Sequence, residues 1–247
     1  DGPHDPILSP KHDSSIVLDE PVKISTLGLT ADGVLAESNI ILSWCHAPNG
    51  ACDGELLSAE VNATWNLQNG ENIGSFLIDA DELGLHDGTW ELTYVLQDSF
   101  LRTSPHVSVR VFVDQTNPQS ILISPNNASE GDIIIIDGSD SWDGVWSSNL
   151  QAVWYIHHPD GTMRVAEQSE TNGLVLTLNP TQSGDYSVQL DVIDMVGRMS
   201  SSQVTIEVEN IEPILEVSID GVEKTSPKSI NLAEEEKLIV SAIAHET

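Results

Sequence analysis

The sequence GDYSVQLDVIDMVGRMSSSQVTIEV at residues 184–208 constrains this chain more than any other stretch, because it occurs twice. The earlier copy, GTWELTYVLQDSFLRTSPHVSVRVFV, spans residues 88–113. In each, a glycine and one spacer precede an aromatic residue, Trp90 or Tyr186. Apolar residues then fall at every second position: Leu92, Tyr94 and Leu96 against Val188, Leu190 and Val192. Such alternation predicts a strand with one buried face. Asp98 or Asp194 closes the strand, and a short turn carries Arg102 or Arg198. A second alternating run returns through Val109, Val111 and Val113 or Val204, Ile206 and Val208. Each copy therefore reads as a terminal β-hairpin.

The glycine-x-aromatic start resembles the tyrosine corner of immunoglobulin-like sandwiches, in which the ring packs at the turn into the second-to-last strand and its polar tip bonds backbone upstream. Tyr186 has a hydroxyl for that bond, whereas Trp90 offers its indole N–H. The expected fold is all-β, with tandem immunoglobulin-like sandwiches. A length of 247 residues suits two such domains of about 100 residues each and a remainder.

The repeat extends upstream of the hairpins. PILSP (residues 6–10) and ILISP (121–125) each read as a short first strand stopped by proline. Residues 20–44 and 130–154 then match in length, and both end on a strand closing in tryptophan: Ile40, Leu42, Trp44 and Leu150, Ala152, Trp154. A tryptophan there is the central filler of an immunoglobulin-like core. CHAPNG and YIHHPDG follow, and their Asn-Gly and Asp-Gly pairs reverse the strand. The strands before the corners are expected at 75–78 and 174–178. The first repeat carries about fourteen extra residues before Gly88. They read as one added edge strand, AEVNATWNL (59–67), held at its base by a Cys45–Cys52 disulfide. The rival use of these cysteines is a metal site with His46 and Asp53, although two Cys without a second Cys or His pair is a poor zinc pattern.

Proline-stiffened linkers, DQTNP at 114–118 and ENIEP at 209–213, place the domain boundaries. The division is 1–115, an immunoglobulin-like sandwich with the inserted hairpin; 116–210, a second sandwich; and 211–247, the opening of a third repeat. In that third part Leu215, Val217 and Ile219 alternate, and NLAEEEKLIV (231–240) echoes NASEGDIIII (127–136). It holds about a third of a sandwich, and Leu238 and Val240 call for partners outside it, so this part is expected either to be disordered or to continue in a longer chain.

Charge narrows the function classes. With 39 acidic residues against 9 basic ones the formal charge is −30, which repels nucleic-acid phosphates and anionic lipid surfaces. Regular alternation places this acidity on the solvated faces of folded domains. No apolar run approaches the roughly 18 residues that span a bilayer. The cysteine pair and two sequons, at Asn62 and Asn127, point to an oxidising exterior.

EGDIIIIDGSDSWDG (130–144), Trp154, Pro159-Asp160-Gly161, GDYSVQLDVID (184–194) and Gly197 together resemble the PKD domain pattern: a D-G-S-x-S-x-D loop after the second strand and a G-x-Y-x-V-x-L-x-V-x-D-x-x-G hairpin at the end. The usual W-x-F-G-D-G is replaced by WYIHHPDG, and the first repeat has TLGLTADG where the D-G-S loop belongs. The resemblance implies extracellular tandem modules of prokaryotic, notably archaeal, cell-surface proteins or accessory units beside secreted hydrolases. It implies no catalysis. It also makes a calcium site admissible at Asp140, Asp143 and Asp194 with Asn117 of the linker, since calcium takes about six to eight oxygens. The competing reading has Asp137 and Asp194 accepting backbone N–H bonds within their own turns.

Trp142 and Trp146, in the same loop, are candidate contacts for a sugar or protein partner, against folding over the end of their own sandwich. His157 and His158 have no third ligand in sequence and read as a solvated turn. No G-x-S-x-G elbow, H-E-x-x-H helix or phosphate loop occurs. Two functions remain: a structural or adhesive stalk segment of a large surface protein, with the neighbouring repeats of the same chain as partners, or a glycan- or protein-binding module of a secreted enzyme.

Overall fold

The computed structural model describes residues 5–29 and 39–211, and the backbone of 214–219, 222–224 and 240–245. By contact the chain divides into two units. The first comprises Asp1–Gln119, Trp142–Leu150 and Ile193–Met199; the second comprises Ser120–Ser141, Gln151–Val192 and Ser200–Thr247. Two loops of the second sequence repeat thus belong by contact to the first unit.

In the first unit the strands are β1 (Ile7–Pro10), β2 (Ser15–Leu18), β3 (Val22–Leu29), β4 (Asn39–His46), β5 (Leu57–Val61), β6 (Thr64–Gln68), β7 (Glu71–Ile78), β8 (Gly88–Gln97) and β9 (Val107–Val113). One sheet has the order β1-β3-β7-β6 and the other β2-β9-β8-β4-β5. This is the immunoglobulin-like arrangement, with two sheets over one core. Every second residue of β8 is buried, and Leu92, Tyr94 and Leu96 meet Trp44, Leu42 and Ile40 across the ladder. Phe76 and Ile78 of the opposite sheet complete the same cluster. Full burial of one such side chain contributes about 1.5–3 kcal/mol.

The second sandwich repeats the plan. Its strands are β10 (Asn127–Ser129), β11 (Ile134–Asp137), β12 (Gln151–His157), β13 (Met163–Val165), β14 (Thr171–Asn172), β15 (Val175–Leu178), β16 (Gly184–Ile193) and β17 (Met199–Glu209). The sheets run β10-β17-β16-β12-β13 and β11-β15-β14. Trp154 and Tyr186 are buried in its core as Trp44 and Trp90 are in the first. The Trp154 indole N–H donates to the Gly173 carbonyl at 3.0 Å. ILISP makes a single bridge, Ile123 to Asp137, rather than a strand. The chain instead pairs just beyond it, where β10 lies parallel to β17 as β2 lies parallel to β9. These two-sided edge strands are too short to register as alternation.

The corners form in both repeats. Trp90 donates its indole N–H to the His86 carbonyl at 2.8 Å, and the Gln182 backbone bonds the Tyr186 hydroxyl. In each case the partner lies four residues upstream. His158 is half-buried with its ring 5.3 Å from that of Tyr186, so the expected solvated turn is in part a corner contact. Its Pro159 packs against Gly184, where an added Cβ would meet the proline ring at 2.7 Å.

The inserted hairpin differs from expectation. Residues 59–67 are not one edge strand: β5 pairs with β4 in one sheet, and β6 pairs with β7 in the other. The chain changes sheets at Asn62-Ala63 without losing its parity, so Ala59, Val61, Ala63 and Trp65 all pack on the core. Unbroken alternation therefore hides the crossing. The second repeat makes the same crossing with the shorter β13 and β14. Trp65 covers Gly74, its cross-strand partner, so closely that a Cβ on Gly74 would lie 2.5 Å from the indole.

Cys45 and Cys52 are joined in a disulfide, which excludes the thiolate metal site with His46 and Asp53. Closing so short a loop limits its contribution to about 2–3 kcal/mol on the chain-entropy view. Reduction is expected to lower the melting midpoint of the first unit without unfolding it at 25 °C. Loss of its near-ultraviolet circular dichroism on reduction would contradict this. The sequon residues Asn62 and Asn127 are both exposed.

Beyond residue 211, β18 (Ile214–Ile219) pairs antiparallel with β19 (Val222–Lys224) and β20 (Val240–His245). The echo expected at 231–240 lies outside the described residues except for the backbone of Val240.

Candidate metal centre

The centre is built from two strand ends and one loop. Asp114 follows β9, and its N–H donates to the Leu18 carbonyl at 3.2 Å. Asp194 follows β16 and closes a tight turn: its Oδ1 accepts the N–H groups of Val196 and Arg198 at 3.0 and 2.8 Å, and its Oδ2 accepts from Arg198 Nε at 2.6 Å. Asp98 in the first repeat makes the same three bonds, with Phe100 N, Arg102 N and Arg102 Nε. The Asp-x-x-x-Arg spacing is thus a local lock formed twice. Burial resists the charge of Asp98, but the Arg102 bonds overcome it and hold the carboxyl below the usual range.

Asp143 comes from the loop between β11 and β12. Asp137 opens that loop by accepting the Ser139 N–H at 2.8 Å. Gly138 packs so tightly that a Cβ would meet Leu190 at 2.5 Å and the Leu174 carbonyl at 2.9 Å. Trp142 and Gln119 then exchange backbone bonds of 2.8 and 3.0 Å, and Asp143 N–H donates to Ser147 Oγ at 2.8 Å. The Trp146 indole N–H donates to the Val113 carbonyl at 2.7 Å, with its ring against Phe112. Trp146 therefore packs on the last strand of the first repeat, not over its own sandwich, because its loop belongs to the first unit. Trp142 remains 41% exposed.

These elements bring one carboxylate oxygen each of Asp114, Asp143 and Asp194 within 4.8 Å of one another, all three residues being buried. Arg198 reaches across from Asp194 to Asp114 Oδ1. Asp114 Oδ2 and both oxygens of Asp143 have no hydrogen-bond partner. Burial, and then the negative charge of Asp143, push the Asp114 carboxyl up to about 6 against the pull of Arg198. Burial likewise pushes Asp143 up, with Asp194 adding to it. For Arg198 burial works against the charge, but Asp194 and Asp114 more than offset it and raise its affinity for the proton.

Of the ligands expected from sequence, Asp143 and Asp194 meet, whereas Asp140 and Asn117 are exposed and outside the cluster. Asp114 was the missed member. It sits in the same DQTNP linker as Asn117 and marks the end of an alternating strand, which was the available signal. Asp137 and Asp194 both make the turn bonds that the competing reading required.

No family model matches the chain, and no curated protein matches it. Among solved structures, it is similar to carbohydrate-binding modules of the β-sandwich superfamily, at 19% identity and a TM-score of 0.32, over 42% of this chain and 44% of that one. It is also similar to the fibronectin(III)-like modules of Clostridium thermocellum CbhA, at 14% identity and 0.35, over 83% and 95% of the two chains. A third is a 1.5-MDa bacterial ice-binding adhesin, at 12% identity and 0.37, over 87% and 68%. The chain spans less than half the length of the first of these. Likeness at this level carries no argument about this chain.

Proposed function

We propose that this chain is a non-catalytic structural or adhesive segment of a larger cell-surface protein: stalk or spacer repeats of the PKD-like kind, with borders near residues 115 and 210 and its neighbouring repeats as partners. The observation that carries the reading is the repetition itself. Two consecutive sandwiches spend their defining residues, Trp44 and Trp154, Trp90 and Tyr186, Asp98–Arg102 and Asp194–Arg198, on identical structural tasks. The disulfide and the −30 charge support an extracellular, saline or calcium-rich setting, in which Asn62 and Asn127 are the glycan acceptors. An antibody raised against this chain should label intact source cells, and external protease should remove the signal. Labelling only after lysis would overturn the reading.

Exposed Trp142, with Val145 of the same loop 63% exposed, favours a second reading: a glycan- or protein-binding module of a secreted enzyme. Binding on a glycan array that is lost in Trp142→Ala would select it, whereas a stalk segment gives no signal that depends on Trp142.

A further inference from the structure

We propose that Asp114, Asp143 and Asp194 bind one calcium ion. This goes beyond the surface role and stands independently of it. Two observations carry it. The first is geometric: the three buried carboxylates converge within 4.8 Å. Such a spread lets one cation touch all three, since oxygens on opposite sides of calcium lie about 4.6–5.2 Å apart, given Ca–O distances of about 2.3–2.6 Å; magnesium, which demands a near-ideal octahedron and sheds its water reluctantly, suits fixed protein oxygens less. The second concerns one side chain. Asp143 has no exposed surface, one of its oxygens lies in the cluster, and both lack a hydrogen-bond partner, as does Asp114 Oδ2.

A buried carboxylate without partners is costly enough that folded proteins pair or coordinate it. Here the guanidinium of Arg198 is already spent on Asp194 and on the other oxygen of Asp114. Three carboxylates against one guanidinium leave a formal charge of −2, which a single divalent cation cancels. The available donors are all oxygens, the set that hard cations take. Asp87, bonded to Thr116 and to the Gln115 N–H, adds a further negative charge nearby. Asp194 stays in its turn bonds and closes the far side, so the open oxygens of Asp143 and Asp114 are the principal ligands.

The test is thermal unfolding of the full chain, stripped with chelator, in roughly 0.3 M sodium chloride, where exposed charges are screened beyond a few ångströms. Calcium chloride at about a hundredfold above its Kd should raise the midpoint of the first unit by roughly 5–10 °C. Magnesium chloride should do much less. Asp143→Asn should weaken calcium binding at least tenfold by calorimetry and abolish the shift while folding at least as well as the native chain without metal. Asp140→Asn, outside the cluster, should respond as the native chain does. A native midpoint unmoved by calcium overturns the proposal, as does an equal rise in Asp143→Asn. A midpoint raised by acidification to pH 5 but not by calcium also overturns it, by assigning the site to protons.

Discussion

Arg198→Met is expected to destabilise the chain by about 3 kcal/mol, measured by urea unfolding in chelator-treated buffer. Removing one partner of a buried ion cluster typically costs about 3–5 kcal/mol, because the charges left behind have neither water nor a counterion. Here Asp114, Asp143 and Asp194 would face one another with no cation. The lower end of the range applies, since the Arg198 side chain is 27% exposed and solvent screens part of the change. Arg198→Lys should recover only a fraction. The guanidinium binds Asp194 through Nε and Asp114 through its terminal nitrogen at once, a fork that an ammonium point charge does not reproduce. Equal stability of native chain and Arg198→Met would mean that the carboxylates are already protonated when folded, and the electrostatic account of the centre would be wrong.

Tyr186→Ala should cost about 3–5 kcal/mol, comparable with the loss from emptying any large aromatic site in a core. The residue is 2% exposed and meets the His158 ring edge-on at 5.3 Å. Against a typical domain stability of about 5–15 kcal/mol, that brings the second sandwich close to unfolding. Tyr186→Phe separates packing from the corner bond: it keeps the ring and removes only the bond to the Gln182 backbone, for about 0.5–1.5 kcal/mol. If the phenylalanine variant lost as much as the alanine variant, the corner would be held by its hydroxyl and not by its ring. Chemical unfolding followed by near-ultraviolet circular dichroism reads both.

Much of the architecture was legible in the residues. Alternation placed β8, β9, β16 and β17, and the repeat placed Trp44 and Trp154 in their cores, because burial of one strand face leaves a period of two that no other element mimics. The corner bonds were legible for the same reason that they form: donor and acceptor are four residues apart. The cysteine pair was legible from its short separation. The sheet crossing inside residues 59–67 was not, since a strand that changes sheets and keeps its inward face leaves the alternation intact. Nor were the short strands β2 and β10, which are held by parallel partners remote in sequence.

The sequence by itself determined that this is a tandem immunoglobulin-like β protein, because its alternation and its repeat are local and periodic. Only the tertiary structure decided which acidic residues meet. In a chain with 39 carboxylates, composition nominated many and the D-G-S loop favoured Asp140 and Asp143. Folding buried Asp143 and left Asp140 in solvent, then drew Asp114 and Asp194 to it from the ends of two other strands. Which side chains converge there depends on where whole strands end in space, and no local pattern encodes that distance. The same holds for Trp146, whose place against Phe112 follows from where its loop packs and not from its neighbours in sequence.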